Sequence, residues 1–187
     1  MSKNYETELP AGYREVYKLN ALDKKVSVLL TVASFVVTIG GGVLSALIIK
    51  PHGLPTHTAW FLIVMILYIV AHELVHGAAY KLLTKRKLTF GITLTVAYCG
   101  VPDIYVYRKA ALISLAAPLT VFSVLFLAAA FLFTDSWDAF LAAAMFSVHL
   151  GGCVGDIYDI YLYLAKFRDP LTLMRDTGPE QTFYVKG

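Results

Sequence analysis

The sequence predicts an all-α membrane protein of four transmembrane helices, with a short β-hairpin-like loop, cytoplasmic or re-entrant, between the second and third. Three observations predict it. Of 187 residues, 58% are hydrophobic and only 16% charged, and the mean hydropathy is +0.65; soluble domains carry about 25% charged residues. Four apolar segments, Val26 to Ile49, Thr58 to Leu82, Ala110 to Phe133 and Trp137 to Ala165, come close to or exceed the roughly 20 residues that cross a bilayer. Lysine and arginine collect in alternate loops, as the positive-inside rule requires of a multi-pass protein.

The elements follow in chain order. Residues 1–25 are polar and of mixed charge, with Pro10 and Gly12, and form a cytoplasmic tail. No small-residue cleavage site of the signal-peptide type follows the first apolar segment, so it is expected to stay in the protein as a helix. Its Gly40, Gly41 and Gly42 permit close helix contact. Basic residues precede the first span (Lys3, Arg14, Lys18, Lys24, Lys25), fill the central loop (Lys85, Arg86, Lys87, Arg108, Lys109) and follow the fourth span (Lys166, Arg168, Arg175, Lys186). The two remaining loops hold Lys50 in one and Asp135 with Asp138 in the other, so both termini and the central loop are placed in the cytoplasm. Trp60 and Trp137 open the second and fourth spans at the opposite interface.

From Thr89 to Tyr98 the central loop alternates, with Phe90, Ile92, Leu94, Val96 and Tyr98 on one side, a strand pattern. Gly100 to Asp103 reads as a turn and Ile104 to Tyr107 as a second short strand. A hairpin there exposes an edge around Thr93, Thr95 and Val96 that could take up an extended peptide as an added strand. The tail from Phe167, with Pro170, Gly178 and Pro179, reads as coil. No repeat or linker divides the chain, giving one membrane domain over 26–165 between cytoplasmic tails of 1–25 and 166–187. Cys99 and Cys153 have no CxxC spacing and are expected as reduced thiols. A net charge of +3 gives no footprint for nucleic acid.

The chemistry centres on His72-Glu73-Leu74-Val75-His76. Residues four apart on a helix share a face, so His72 and His76 reach one metal ion with Glu73 projecting beside it. Three ionisable side chains at adjacent positions inside a membrane cost several kcal/mol unless a cation compensates. A hydrolytic zinc takes three protein ligands and keeps a position for water. Counted from the inner ends of their spans, His76 and His72 lie about 9 to 15 Å deep, and Asp156 and Asp159 of the fourth span reach the same level. Asp156, after Gly151, Gly152 and Gly155, is the first choice for third ligand; Asp159, His149 and Cys153 are alternatives, and His149 is also a candidate hydrogen-bonding partner behind the ligands. The implied chemistry is metal-assisted hydrolysis, with Glu73 taking a proton from water and passing it to the leaving amine.

These residues resemble a known family. HELVHG at 72–77, Ala97-Tyr98-Cys99, Arg108 with Ala117-Pro118, and the stretch from Gly152 to Ile157 are similar to the bacterial zincin peptidases, small four-span proteins, over most of 58–165. More distantly they resemble the site-2 proteases, although Asp156 here sits in Gly-Asp-Ile rather than beside Asn-Pro or in Leu-Asp-Gly. The resemblance implies a Zn2+ cofactor, His72 and His76 as ligands, Glu73 as base, Asp156 as third ligand, membrane protein or peptide substrates, and a place in the bacterial cytoplasmic membrane. A metal-stabilised scaffold or regulatory protein would use the same histidines for structure alone. A metal transporter is disfavoured because the outward halves of the spans are almost wholly apolar, and a di-iron oxygenase because it needs many more than five histidines.

Overall fold

A computed structural model describes residues 3–53, 57–93 and 96–187. The chain forms strands β1 (Tyr5–Glu6) and β2 (Tyr13–Asn20), helices α1 (Lys24–Ile49) and α2 (Thr58–Thr84), strands β3 (Thr89–Ile92), β4 (Ala97–Gly100) and β5 (Tyr105–Tyr107), helices α3 (Arg108–Leu132), α4 (Ser136–Gly152) and α5 (Val154–Ala165), and strands β6 (Leu173–Asp176) and β7 (Glu180–Lys186). The first three apolar segments become α1, α2 and α3 within two residues of their expected bounds. These three are long and apolar enough to cross a membrane, and α4 with α5 makes a fourth if the bent pair counts as one span.

The expected continuous helix from Trp137 to Ala165 is instead broken at Cys153, with a bend of 53° between α4 and α5. Gly151, Gly152 and Gly155 surround the break, and each lowers the cost of leaving the helical path. Gly151 also lets α1 approach, since a Cβ there would lie 2.1 Å from Thr38 Oγ1 and 2.8 Å from the Ser34 carbonyl. The other long helices start and stop on local chemistry. Asp23 and Asp135 cap α1 and α4 by accepting from the backbone N–H groups two and three residues on. Lys50 and Lys85 end α1 and α2 in the left-handed conformation.

The all-α expectation is corrected by a five-stranded antiparallel sheet of order β1-β5-β6-β7-β2. Residues 173–176 and 180–186, read from sequence as coil, are two of its strands, the first pairing with β5 and the second with β2. The period-two run from Thr89 is not one strand either. It folds back so that β3 pairs with β4, Phe90 opposite Cys99, while the Ile104–Tyr107 strand leaves the hairpin and joins the terminal sheet as β5. What drives this is burial: Val106, Met174 and Phe183 on the sheet are fully buried with Val101, Tyr80, Leu162 and Tyr163, forming a core where the sheet meets the ends of α2, α3 and α5, and Leu173 is also fully buried. At about 25 cal/mol per Å² of apolar surface, that core is available to the tails only if they become strands.

The sheet therefore marks one end of the bundle. Arg108, opening α3, donates to the Tyr163 carbonyl near the end of α5 there. At the other end Trp137 Nε1 donates to the Gly53 carbonyl and His57 Nδ1 lies 2.7 Å from Asp138 Oδ1. Outward faces of α1 stay exposed and apolar, with Leu29, Val36, Leu47 and Ile48 all more than 60% accessible, the pattern of a helix solvated by lipid.

Candidate metal centre

Helix α2 carries His72 and His76 one turn apart, both buried, and the bend at Cys153 turns the first turn of α5 toward them. Three donor residues converge. His72 Nε2 lies 3.2 Å from His76 Nε2, Asp156 Oδ2 lies 3.3 Å from His72 Nε2, and Asp156 Oδ1 lies 3.2 Å from His76 Nε2. A tetrahedron of N and O ligands at 2.0–2.1 Å from zinc has edges of about 3.3–3.4 Å. Each imidazole nitrogen therefore stands from the other, and from one oxygen of Asp156, at the spacing of ligands on zinc, and one atom from each residue lies within 4.8 Å of the other two.

Hydrogen bonding supports both imidazoles from behind. His76 Nδ1 lies 2.8 Å from the Ser114 carbonyl, to which it can only donate, so the neutral ring presents a lone pair at Nε2. Behind His72, the Tyr68 oxygen lies 3.0 Å from His72 Nδ1 and 2.9 Å from His149 Nδ1, and His149 Nε2 lies 3.2 Å from Ser123 Oγ and 3.3 Å from the Leu119 carbonyl. With a metal ion on His72 Nε2, the His72 Nδ1–H donates to Tyr68, the Tyr68 hydroxyl donates to His149 Nδ1, and the His149 Nε2–H donates to the Leu119 carbonyl. Two imidazoles and a carboxylate thus face one another at contact distance in a buried site, and such a cluster needs a cation, a proton or a metal ion, among them. The residues present fit zinc.

Of the other expected candidates, His149 lies one hydrogen bond behind Tyr68, and Cys153 Sγ lies 3.5 Å from its Nδ1. His72, His149 and Cys153 also offer ligand atoms within 4.8 Å of one another, but the Tyr68 hydroxyl already bonds both histidines there. Asp159 is buried elsewhere on the cavity wall, and its Oδ1 has no partner among the described residues. Glu73 is half-buried, lines the cavity, and makes no hydrogen bond to any described residue. Its neighbour Gly77 has a packing role: a Cβ there would lie 2.7 Å from the Phe90 ring, so glycine lets β3 lie across α2 next to His76.

The cavity has a volume of about 520 Å³ and is bounded by α1, α2, the β3–β4 hairpin, the α4–α5 break and the terminal sheet. Thr93 and Val96 line it and bond to each other across the hairpin turn; Thr95, expected beside them, lies outside the described residues. The outer edge of β3 pairs with no other strand among the described residues. Sequence reasoning missed the contribution of the tails. Asp176 of β6 lines the cavity and accepts from the Tyr80 hydroxyl at 2.7 Å, the Gly178 N–H at 2.9 Å and Gln181 at 3.3 Å. Burial outweighs those donors and pushes its carboxyl up to about 6, and burial also pushes the Cys99 thiol up to about 12. Tyr98 locks the hairpin under the sheet: a Cβ on Gly91 would lie 2.3 Å from its ring, and one on Gly178 would lie 2.2 Å from it. Tyr68 could have been found, since it stands one turn before His72 on the same face. The Ser114 carbonyl and Asp176 had no such signal.

No match to this chain is found among curated proteins or among solved structures. A family model described as "putative zincin peptidase" matches residues 65–170, which hold both histidines, Glu73, the hairpin, α3 and Asp156 but stop short of β6 and β7. The match spans more than half of the chain, which belongs to this zincin peptidase family.

Proposed function

We propose that the chain is a zinc-dependent metallopeptidase of the membrane that hydrolyses peptide bonds in membrane-associated protein substrates near the cytoplasmic face. The observation that carries this reading is the donor triangle formed by His72, His76 and Asp156, buried and set beside a carboxylate with no hydrogen bond to the described residues. When bound there, zinc supplies Lewis acidity that brings the pKa of water towards about 7 and polarises the scissile carbonyl. Glu73 takes the proton from that water and hands it to the leaving nitrogen, which departs poorly unless protonated. Ser114 and Tyr68 hold the two imidazoles in the tautomers that leave Nε2 free. The outer edge of β3 accepts an extended substrate as an added strand, with Thr93 and Val96 at the turn where it enters the cavity. The distribution of lysine and arginine supports cytoplasmic termini and a multi-pass place in the cell membrane.

The test compares zinc content and proteolysis in purified wild type, Glu73→Gln and His72→Ala. Zinc retained with cleavage lost in the first, and both lost in the second, is the expected result. Unchanged biological function in Glu73→Gln would favour a metal-stabilised scaffold, and absence of zinc from wild type would overturn the proposal.

A further inference from the structure

Helix α1 is apolar almost throughout, yet Ser27, Thr31, Ser34 and Thr38 recur along it at steps of four, three and four residues. That spacing keeps them on one face. All four are half-buried and all four line the cavity. None of their hydroxyls makes a hydrogen bond to a described residue, and none is sealed among packed atoms. Other hydroxyls in these helices behave differently: Ser45, Thr120 and Ser147 each donate to the carbonyl four residues earlier at 2.8–3.0 Å. The residues between the four, Val28, Val32 and Val36, point outward and are more than half exposed.

A hydroxyl at membrane depth with no protein partner costs roughly 1–3 kcal/mol unless it finds one elsewhere. Four such groups in register along one wall of a cavity share one remedy, since each can hold a water that has further polar neighbours. We propose that this face of α1 is a water file. It runs about 16 Å from Ser27, near Leu19 and Ala21 at the sheet end of the cavity, down to Thr38, which packs against Gly151 beside the α4–α5 break. Glu73 and Asp156 line the same cavity, so water held along the file shares one space with the groups that would consume it. Its destination rests on the hydrolase reading above; its hydration does not.

The experiment uses the full chain in lipid vesicles and reads hydration, not activity. Single cysteines replace Ser27, Thr31, Ser34 and Thr38, with Val28, Val32 and Val36 as lipid-facing controls, and each is challenged with a membrane-impermeant methanethiosulfonate. The thiolate attacks the reagent's thiol-side sulfur, forming a mixed disulfide and releasing methanesulfinate, and apolar surroundings that raise a thiol by one pKa unit cut the thiolate about tenfold. Positions 27, 31, 34 and 38 are expected to react at least about tenfold faster than 28, 32 and 36. The native Cys99 and Cys153, both buried, set the background in wild type. Melting temperatures matching wild type establish that each variant is folded, and serine to cysteine is nearly isosteric. Reaction at 34 and 38 no faster than at 32 and 36 in folded variants would overturn the file. Repeating the series with Glu73→Gln separates the two proposals: an inactive enzyme whose stripe still reacts leaves the file standing, and an active enzyme with a dry stripe removes it while leaving the hydrolase.

Discussion

Replacing Tyr68 with Phe removes one oxygen and tests whether hydrogen bonding behind His72 sets its affinity for metal. That oxygen lies 3.0 Å from His72 Nδ1 and 2.9 Å from His149 Nδ1, and when His72 Nε2 holds a metal it accepts from the first and donates to the second. The phenylalanine ring keeps the packing against Phe122 and Phe126, whose centroids lie 5.1 and 5.7 Å away, so the core loses little. Two consequences follow for His72. Its Nδ1–H loses its partner in a buried site, a penalty of about 1–3 kcal/mol. Relief comes if the proton moves to Nε2, which takes away the lone pair aimed at Asp156 and His76. Either route weakens metal binding, and loss of such a supporting bond generally lowers affinity by about 10- to 100-fold, or about 1.4 to 2.7 kcal/mol. The assay is zinc competition against a chelator of known affinity, with wild type, Tyr68→Phe and His72→Ala side by side and folding checked by melting temperature. Tyr68→Phe should fall between the other two. Affinity within about threefold of wild type, where the expected loss starts at about tenfold, would refute the claim that Tyr68 orients His72 and would leave His149 as a packing residue.

The remaining expectations concern the third ligand and the roof of the cavity. Asp156→Ala should strip the metal, because it removes one corner of the donor triangle, whereas Asp159→Ala should retain it; metal analysis of the two proteins decides. Gly178→Ala places a β-carbon at a φ of +102° and 2.2 Å from the Tyr98 ring, a combination of strain and overlap expected to cost about 1–3 kcal/mol or more. It should appear as a lowered melting temperature with faster proteolytic nicking of the hairpin, and a wild-type melting curve would contradict it. Asp176 is raised from 3.8 to about 6 in the folded chain, so the fold binds its proton more tightly than the unfolded chain does. The stability this adds is fully present below about pH 4 and is lost as pH rises through about 6, up to about 3 kcal/mol in all. Asp176→Asn keeps an acceptor and an amide that can serve Tyr80, Gly178 and Gln181, and should flatten that slope in urea unfolding of the metal-free protein.

How much of this was written in the sequence depends on the range over which each feature is determined. The spans are local: a run of about 20 apolar residues has few alternatives in lipid, and α1, α2 and α3 appear where the apolar runs stand. The histidines are local too, because four residues on a helix fix one face whatever surrounds it. Asp156 is intermediate. Its depth could be counted along the fourth segment, but what turns it toward His72 and His76 is the bend at Cys153, and three glycines within five residues announce a weak point without giving its angle. Of the terminal sheet only β5 was legible, as the short strand from Ile104 to Tyr107, and not its partners. Leu173, Met174 and Phe183 lie in short polar-flanked stretches that look like coil until β5 and the ends of α2, α3 and α5 offer them a surface, and no local pattern encodes a partner more than 60 residues away. That failure has a functional side. The same tails bring Asp176, Gly178 and Gln181 to the cavity from beyond residue 170, where the family match ends. The residues of the candidate metal centre thus lie within the family match, while the roof over the cavity is built from segments outside it, so if the chain is the peptidase proposed, differences in substrate selection from its relatives are to be sought in the roof.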